Sequence, residues 1–208
     1  IFGDIKDEVK TAMLNADSTP AGRILYGAGY KDDRKVSLSN CYIVGNVPED
    51  SLESISQIDY EISRIGSMGG GVGIALDNIR PKGTKINNSA RISDGVSFVL
   101  NKINNTGENI GQYTRRMAIM VALICNHPDI FEFLHVKENN QKLSAMNISI
   151  KFTDDFMKAV KNNEDYELKF EVKSTGEVVN KTINARDFFK EFCEVNRDWG
   201  DPGCIFID

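Results

Sequence analysis

Four cysteines, two histidines and several glycine- and arginine-bearing stretches are the parts of this 208-residue chain whose chemistry could go beyond packing. Cys41 follows Ser39-Asn40 and opens an apolar run, so its thiol points either into a core or into a site. Most lone cysteines act as small buried hydrophobes; a redox role is the other reading. Cys125, Cys193 and Cys204 fall inside apolar or helical patterns, which assigns them to packing. The four form no CxxC pair and adjoin no histidine cluster, which argues against a structural zinc site or a disulfide scaffold. His127, just ahead of Pro128, reads as part of a helix start, and His135 lies late in the same helix. No Ser–His–acid or paired-carboxylate arrangement can be read from the spacing.

Gly69-Gly70-Gly71-Val72-Gly73 has two readings. Backbone N–H groups of such a run can cradle a phosphate. The glycines enter a strand with no helix after it, and no Lys-Ser/Thr follows, so neither nucleotide-loop fingerprint fits. The plainer reading is a strand entry where another backbone comes close. Two connections carry cations: Arg80-Pro81-Lys82-Gly83 through Arg91, and the polar stretch 104–116, which ends in Arg115-Arg116. Each alone reads as solvated loop. Guanidinium groups match phosphate geometry, and two such loops in one small domain raise a nucleotide or polyphosphate as the alternative.

The elements that must position these residues follow from periodicity. Leu52, Ile55, Ile58, Ile62 and Ile65 repeat at helical spacing behind Asp50 with Glu53 three later, a capping-box-like start. Val96, Val99, Leu100 and Ile103 do the same behind Ser93-Asp94, and Ile130, Phe131 and Leu134 behind Pro128. Thr153 and Asn184 cap two more helices, carrying Phe156, Met157 and Val160, and Phe188, Phe189, Phe192 and Val195. Between them lie runs of strand length: Cys41–Val44, Gly71–Leu76, Ala118–Cys125, Asn147–Phe152 and Ile205–Ile207. The second and third are near-continuous, as strands buried on both faces should be. Strand and helix alternate five times, which predicts α/β architecture with a mainly parallel sheet. The stretch 166–182 alternates and turns at Ser174-Thr175-Gly176-Glu177, an inserted β-hairpin.

The balance of 25 basic against 30 acidic residues, net −5, argues against a dedicated nucleic-acid binder. The longest uncharged apolar run, Met117 to Cys125, is far short of the ~20 residues that span a bilayer. No signal-like segment opens the chain, and the expected compartment is the reducing cytoplasm. The chain begins inside an amphipathic pattern (Ile5, Val9, Ala12, Met13) and stops on an apolar run, so a fragment of a longer protein, or one chain of a split one, is expected.

Several segments together resemble the large catalytic subunit of ribonucleotide reductase. They are Thr19-Pro20-Ala21-Gly22-Arg23-Ile24-Leu25, Ser37-Leu38-Ser39-Asn40-Cys41, the stretch from Glu49-Asp50-Ser51-Leu52 to Ile55, and Gly70-Gly71-Val72-Gly73. Ile79-Arg80-Pro81-Lys82-Gly83, Ser93-Asp94-Gly95-Val96, Arg115-Arg116-Met117-Ala118, His127-Pro128-Asp129-Ile130 and Asn147-Ile148-Ser149-Ile150 continue the series. Their order and spacing run along essentially the whole chain. The Thr-Pro-Ala-Gly-Arg and Ser-Asn-Cys forms are most similar to the adenosylcobalamin-dependent class.

The resemblance implies that residues 1–208 are a partial catalytic domain, the first five-stranded half of a ten-stranded α/β barrel with an inserted hairpin. It implies conversion of ribonucleotides to deoxyribonucleotides by thiyl-radical chemistry, in the service of DNA synthesis. Cys41 matches the first of two cysteines that close a disulfide to supply electrons, and Thr19, Ser39 and Asn40 match the region that holds substrate phosphate and ribose. Asp50, with Ser51 and Leu52 beside it, matches the carboxylate that binds the ribose of an allosteric deoxynucleoside triphosphate. Arg80 matches an effector-phosphate contact and begins a first specificity loop that includes Ile86. Arg115 and Arg116 close a second one, in which Glu108 and Tyr113 stand where glycines are usual. Adenosylcobalamin would be bound mainly outside this chain, and the Asn-x-Cys-x-Glu segment with the radical cysteine would follow Asp208. Expected partners are the substrate, the effector, the other barrel half and a second copy, docked through the helices at 51–66 and 94–103, with no nucleic acid and no membrane.

The chain alone is expected to be inactive, and Val72, Ile74, Val121, Leu123, Ile148 and Ile150 to include the residues that face the second half. An apolar face of that kind should not stay open in water. A rival reading is a non-catalytic nucleotide-sensing or assembly module that retains the effector site; a generic phosphate-binding α/β domain is a third.

Overall fold

The computed structural model describes residues 3–29, 36–45, 49–87, 90–110, 117–138 and 143–208. Strands β1 (Cys41–Ile43), β2 (Gly71–Ala75), β3 (Ile119–Ile124), β4 (Met146–Thr153) and β7 (Gly203–Ile207) form one sheet in the order β1-β2-β3-β4-β7. Every pairing is parallel. The hairpin is β5 (Asp165–Val172) against β6 (Glu177–Asn184), antiparallel and outside that sheet. The strand, helix and hairpin positions read from the sequence hold to within a few residues.

Helices α3 (Leu52–Ser67), α4 (Val96–Asn109), α5 (Ile130–His135), α6 (Asp154–Asn162) and α7 (Ala185–Trp199) press their apolar stripes onto one face of the sheet. Ile58 and Ile62, Leu100 and Ile103, Phe133, Phe156, and Phe188 and Phe192 meet Val72, Ile74, Val121, Leu123, Ile148, Ile150 and Phe152 in one continuous core. Phe152 is the hub of its aromatic part, with the rings of Phe156, Phe189 and Phe192 at 5.0–5.4 Å. Thr153 and Asn184 cap α6 and α7, accepting from Phe156 N and Asp187 N. Ahead of the sheet lie α1 (Lys6–Leu14) and α2 (Gly22–Gly27); the amphipathic pattern of α1 does form a helix, but buries no side chain. Among the described residues no helix is long and apolar enough to cross a membrane.

Three expectations need correction. The six aliphatic residues expected to include those facing a second half all point the other way, into the helices, and none is more than 4% exposed. Their alternates on the open face are Gly73, Ala75, Met120, Ala122, Asn147, Ser149 and Lys151. Strands β2 and β3 are thus covered by this chain's helices on one face only, because strand side chains alternate and the bulky set lies on the helix side. The open face is not lined by those six; its apolar members are Ile43, Met120, Ile124, Ile205 and Ile207, set among small and polar residues.

Residues 104–109, read as the start of a polar loop, continue α4 instead. Asn104 is buried, its Oδ1 accepting from Ala145 N at 3.1 Å and its Nδ2 donating to Glu108 at 2.9 Å. A Cβ on Gly107 would lie 2.6 Å from Ile119 Cδ1, so the glycine marks close helix–sheet approach and not a turn. Finally, the cap of α3 is Ser51, whose hydroxyl accepts from Ser54 N at 3.1 Å, and not Asp50.

Candidate functional site

Freed from capping, Asp50 faces the loop after β2. Its Oδ2 accepts from Arg80 Nε at 2.7 Å and its Oδ1 from Arg80 N at 3.2 Å, so one carboxylate fixes both the side chain and the backbone of that residue. Arg80 Nη1 donates to Lys85 O at 2.7 Å and Nη2 to Ser174 Oγ at 3.2 Å. Around this pair opens a cleft of about 490 Å3 between the start of α3, the loop 79–95 and the start of α4. Asp50, Ser51, Leu52, Arg80 and Ile86, five of the residues singled out in the sequence, all line it, with Phe98 of α4 opposite. Among its described lining residues Arg80 is the one cation, beside Asp50, Glu53 and Asp94. Arg115 and Arg116, the remaining members of that set, lie outside the described residues.

The loop is held from beneath by a turn that the sequence suggested only as a helix start. Asp129 accepts from Lys82 N with both oxygens, at 3.1 and 3.0 Å, and from Val96 N at 3.2 Å, joining the two ends of the loop. Gly95, at φ +65°, leaves room for this: a Cβ there would lie 2.6 Å from Lys82 N and collide with the Asp129 carboxylate. Asp129 N donates to His127 Nδ1 at 3.0 Å, which leaves the imidazole proton on Nε2 to donate to Ile79 O at 2.8 Å. Burial lowers the His127 pKa, against the opposing pull of the Ile79 carbonyl, Asp129 and Asp77. His127 is thus a neutral structural ring. The available signal for Asp129 was the motif His127-Pro128-Asp129 itself, which carries no hint of its distant backbone partners.

Cys41 lies elsewhere, at the start of β1, exposed and in register with Gly71 on the open face of the sheet. Ser39 and Asn40 lead into it; Ser39 N is held by Ser37 Oγ at 3.1 Å, and Asn40 O accepts from Gly71 N at 2.7 Å. Thr19 is exposed in the segment before α2. The glycine run beside Cys41 cannot cradle phosphate, because Gly69 N, Gly70 N and Gly71 N are all committed to backbone carbonyls. Gly71 serves close backbone approach, a Cβ there falling 3.2 Å from Ala118 O.

On the same open face Lys151 forms an ion pair with Asp77, whose other oxygen accepts from Ile124 N at 2.9 Å. Cys125 is buried, and burial raises its thiol pKa. Cys193 and Cys204, expected to pack, are both exposed, because the face of α7 and the edge strand that carry them lie outside the core.

Comparison with known proteins gives this geometry a family. A profile of the ribonucleotide reductase barrel domain matches residues 39–208. The vitamin B12-dependent ribonucleoside-diphosphate reductase of Thermoplasma acidophilum is 31% identical over 99% of the chain, but only 26% of that protein is covered. The protein of the same description from Mycobacterium tuberculosis is 32% identical over 82% of the chain and 24% of its own length. The ribonucleoside-diphosphate reductase subunit alpha of Synechocystis is 31% identical over 83% of the chain and 26% of its own length. The chain spans about a quarter of the length of these relatives. A parallel five-stranded sheet backed by helices, matched over most of its length by that barrel profile, settles where the chain belongs: it is a member of the ribonucleotide reductase family and covers part of the barrel domain.

Proposed function

We propose that the chain is the nucleotide-binding part of a ribonucleotide reductase, with the allosteric deoxynucleotide in the Asp50–Arg80 cleft and Cys41 as one reductant thiol. The observation that carries this reading is the convergence of Asp50, Ser51, Leu52, Arg80 and Ile86 on one cleft, apart from Cys41. The volume suits a nucleotide-sized ligand. Asp50 uses two of its acceptor positions on Arg80 and keeps others for a ribose hydroxyl. Arg80 commits three of its five N–H groups and keeps two for phosphate. The N-termini of α3 and α4 both open on the cleft and add partial positive charge.

On the open face, Cys41 and a second thiol would each give up one hydrogen and close a disulfide as the ribose C2′–OH bond becomes C2′–H and water leaves. Ser39, Asn40 and Thr19 would hold the substrate. The other half of the barrel would cover this face, and exposed Tyr60 and Phe98 on α3 and α4 suit a dimer contact beside the effector. A cobalamin like that of the relatives would be held mainly by other parts of the protein.

Calorimetry on the complete protein tests the cleft. Asp50→Ala loses charge-assisted hydrogen bonds worth about 1.5–3 kcal/mol, so deoxynucleotide affinity should fall roughly tenfold or more. Unchanged affinity in both Asp50→Ala and Arg80→Ala would overturn the effector reading. Deoxynucleotide binding without any turnover in the complete protein would favour the sensing module instead.

A further inference from the structure

The β5–β6 hairpin has no place in the five-stranded sheet, and neither the core nor the chemistry above requires its tip. Its strands are anchored up to the turn: Leu168 and Val172 are fully buried, Phe170 meets the His127 ring edge-on at 5.4 Å, and Lys169 N donates to Asn126 O at 2.9 Å. Lys181 Nζ adds a bond to Pro128 O at 3.2 Å. The hairpin therefore stands on the same turn that ties down both ends of the 80–95 loop.

Its tip reaches further, to the cleft itself. The turn is closed by Gly176 N donating to Val172 O at 2.8 Å, with Gly176 at φ +69°. From it Ser174 lines the cleft and accepts from Arg80 Nη2, while Glu177 Oε2 accepts from Lys85 N at 3.2 Å. Lys85 is gripped on both sides, its N–H by Glu177 and its carbonyl by Arg80. Beyond Lys85 the chain supplies Ile86, Asn87, Ala90 and Ile92 to the cleft wall. The position of that wall relative to the guanidinium is thus set by two side chains of an element far away in sequence.

We propose that the hairpin tip, through Ser174 and Glu177, is a specificity-determining wall of this cleft. It orients Arg80 toward the phosphates of a nucleoside triphosphate and places Ile86, Asn87, Ala90 and Ile92 against the base. This rests on the nucleotide reading of the cleft. Ser174 and Glu177 are positioning residues: they act through Arg80 and Lys85.

The test compares the affinities of the complete protein for the four deoxynucleoside triphosphates in wild type, Ser174→Ala, Glu177→Ala, Glu177→Gln and the double alanine variant. Each lost hydrogen bond is worth a few-fold, so the double variant should bind its best ligand roughly fivefold or more weakly and discriminate less among the four. Glu177→Gln keeps an acceptor for Lys85 N and should recover most of the wild-type ratios, which a merely structural role would not require. Thermal unfolding of Ser174→Ala, altered at an exposed tip, should match wild type. Wild-type binding with unchanged affinities and ratios in the double variant overturns the hairpin role and leaves the effector site standing. No deoxynucleotide binding by the wild type overturns both.

Discussion

On the helix side of the sheet stand Val72, Ile74, Val121, Leu123, Ile148 and Ile150, none more than 4% exposed, whereas the same strands turn Gly73, Ala75, Met120, Asn147, Ser149 and Lys151 the other way. One face is branched hydrocarbon packed against five helices. The other mixes small and polar residues with Ile43, Met120, Ile124, Ile205 and Ile207, carries the Asp77–Lys151 ion pair and has Cys41 at its edge. Apolar burial stabilises at about 25 cal/mol per Å2, so the helix side holds the fold together. Small side chains contribute little to that, but leave backbone and polar groups within reach of whatever covers them. A rigid sheet can thus present an exposed thiol, Cys41, on one face because the other supplies its stability.

The largest effect that tests this contrast is core truncation. Ile148→Ala should lose about 2–5 kcal/mol in urea denaturation, while Met120→Ala on the opposite face should lose less than about 1 kcal/mol. Equal losses would break the comparison. Next is the ion pair: among the described residues, Lys151→Met leaves the Asp77 carboxylate with the Ile124 N–H alone as hydrogen-bond partner and should cost about 1–3 kcal/mol. Asp77→Asn combined with Lys151→Met should recover part of it, measured as a double-mutant cycle.

The two histidines should give opposite pH limbs of smaller size. Burial lowers the His127 pKa, so its contribution is complete above the unfolded value of 6.5 and is lost as pH falls toward the folded pKa. Partial burial also lowers that of His135, but hydrogen bonds and charge from Glu138 and Glu191 outweigh it and raise the pKa. Its contribution is complete below 6.5 and is lost as pH rises through the folded value. Denaturation between pH 5 and 8 should show His127→Gln flattening the acid limb and His135→Gln the neutral one. Smallest of all in stability is Cys41→Ser, exposed and uninvolved in the core, at less than about 0.5 kcal/mol. In the complete protein it should nevertheless abolish repeated turnover with a dithiol reductant and leave effector affinity near normal. Cys193→Ser should be silent in both.

Much of the fold was legible because it is local. Capping by Thr153 and Asn184 and the hairpin turn depend on residues a few positions apart; the caps are where the pattern puts them, and the turn falls at 173–176, one residue earlier than read, with Glu177 opening β6. The misreadings have a common source. Asn104 and Gly107 look like loop residues until Ala145 and Ile119 approach them, and Asp50 looks like a cap until Arg80, thirty positions on, takes its carboxylate.

The sequence by itself determined the alternation of strands and helices, the parallel sheet and the motifs that mark the family, since periodicity and turn chemistry are written at short range. Only the tertiary structure decided which face of each strand is covered, that Asp129 joins the two ends of the cleft loop, and that the hairpin tip grips Arg80 and Lys85. A strand run such as Met117 to Cys125 is apolar at nearly every position, so its sequence cannot say which alternate set meets the helices. That choice belongs to the packing of side chains distant in sequence, where burial favours the face on which the large residues of all five helices fit.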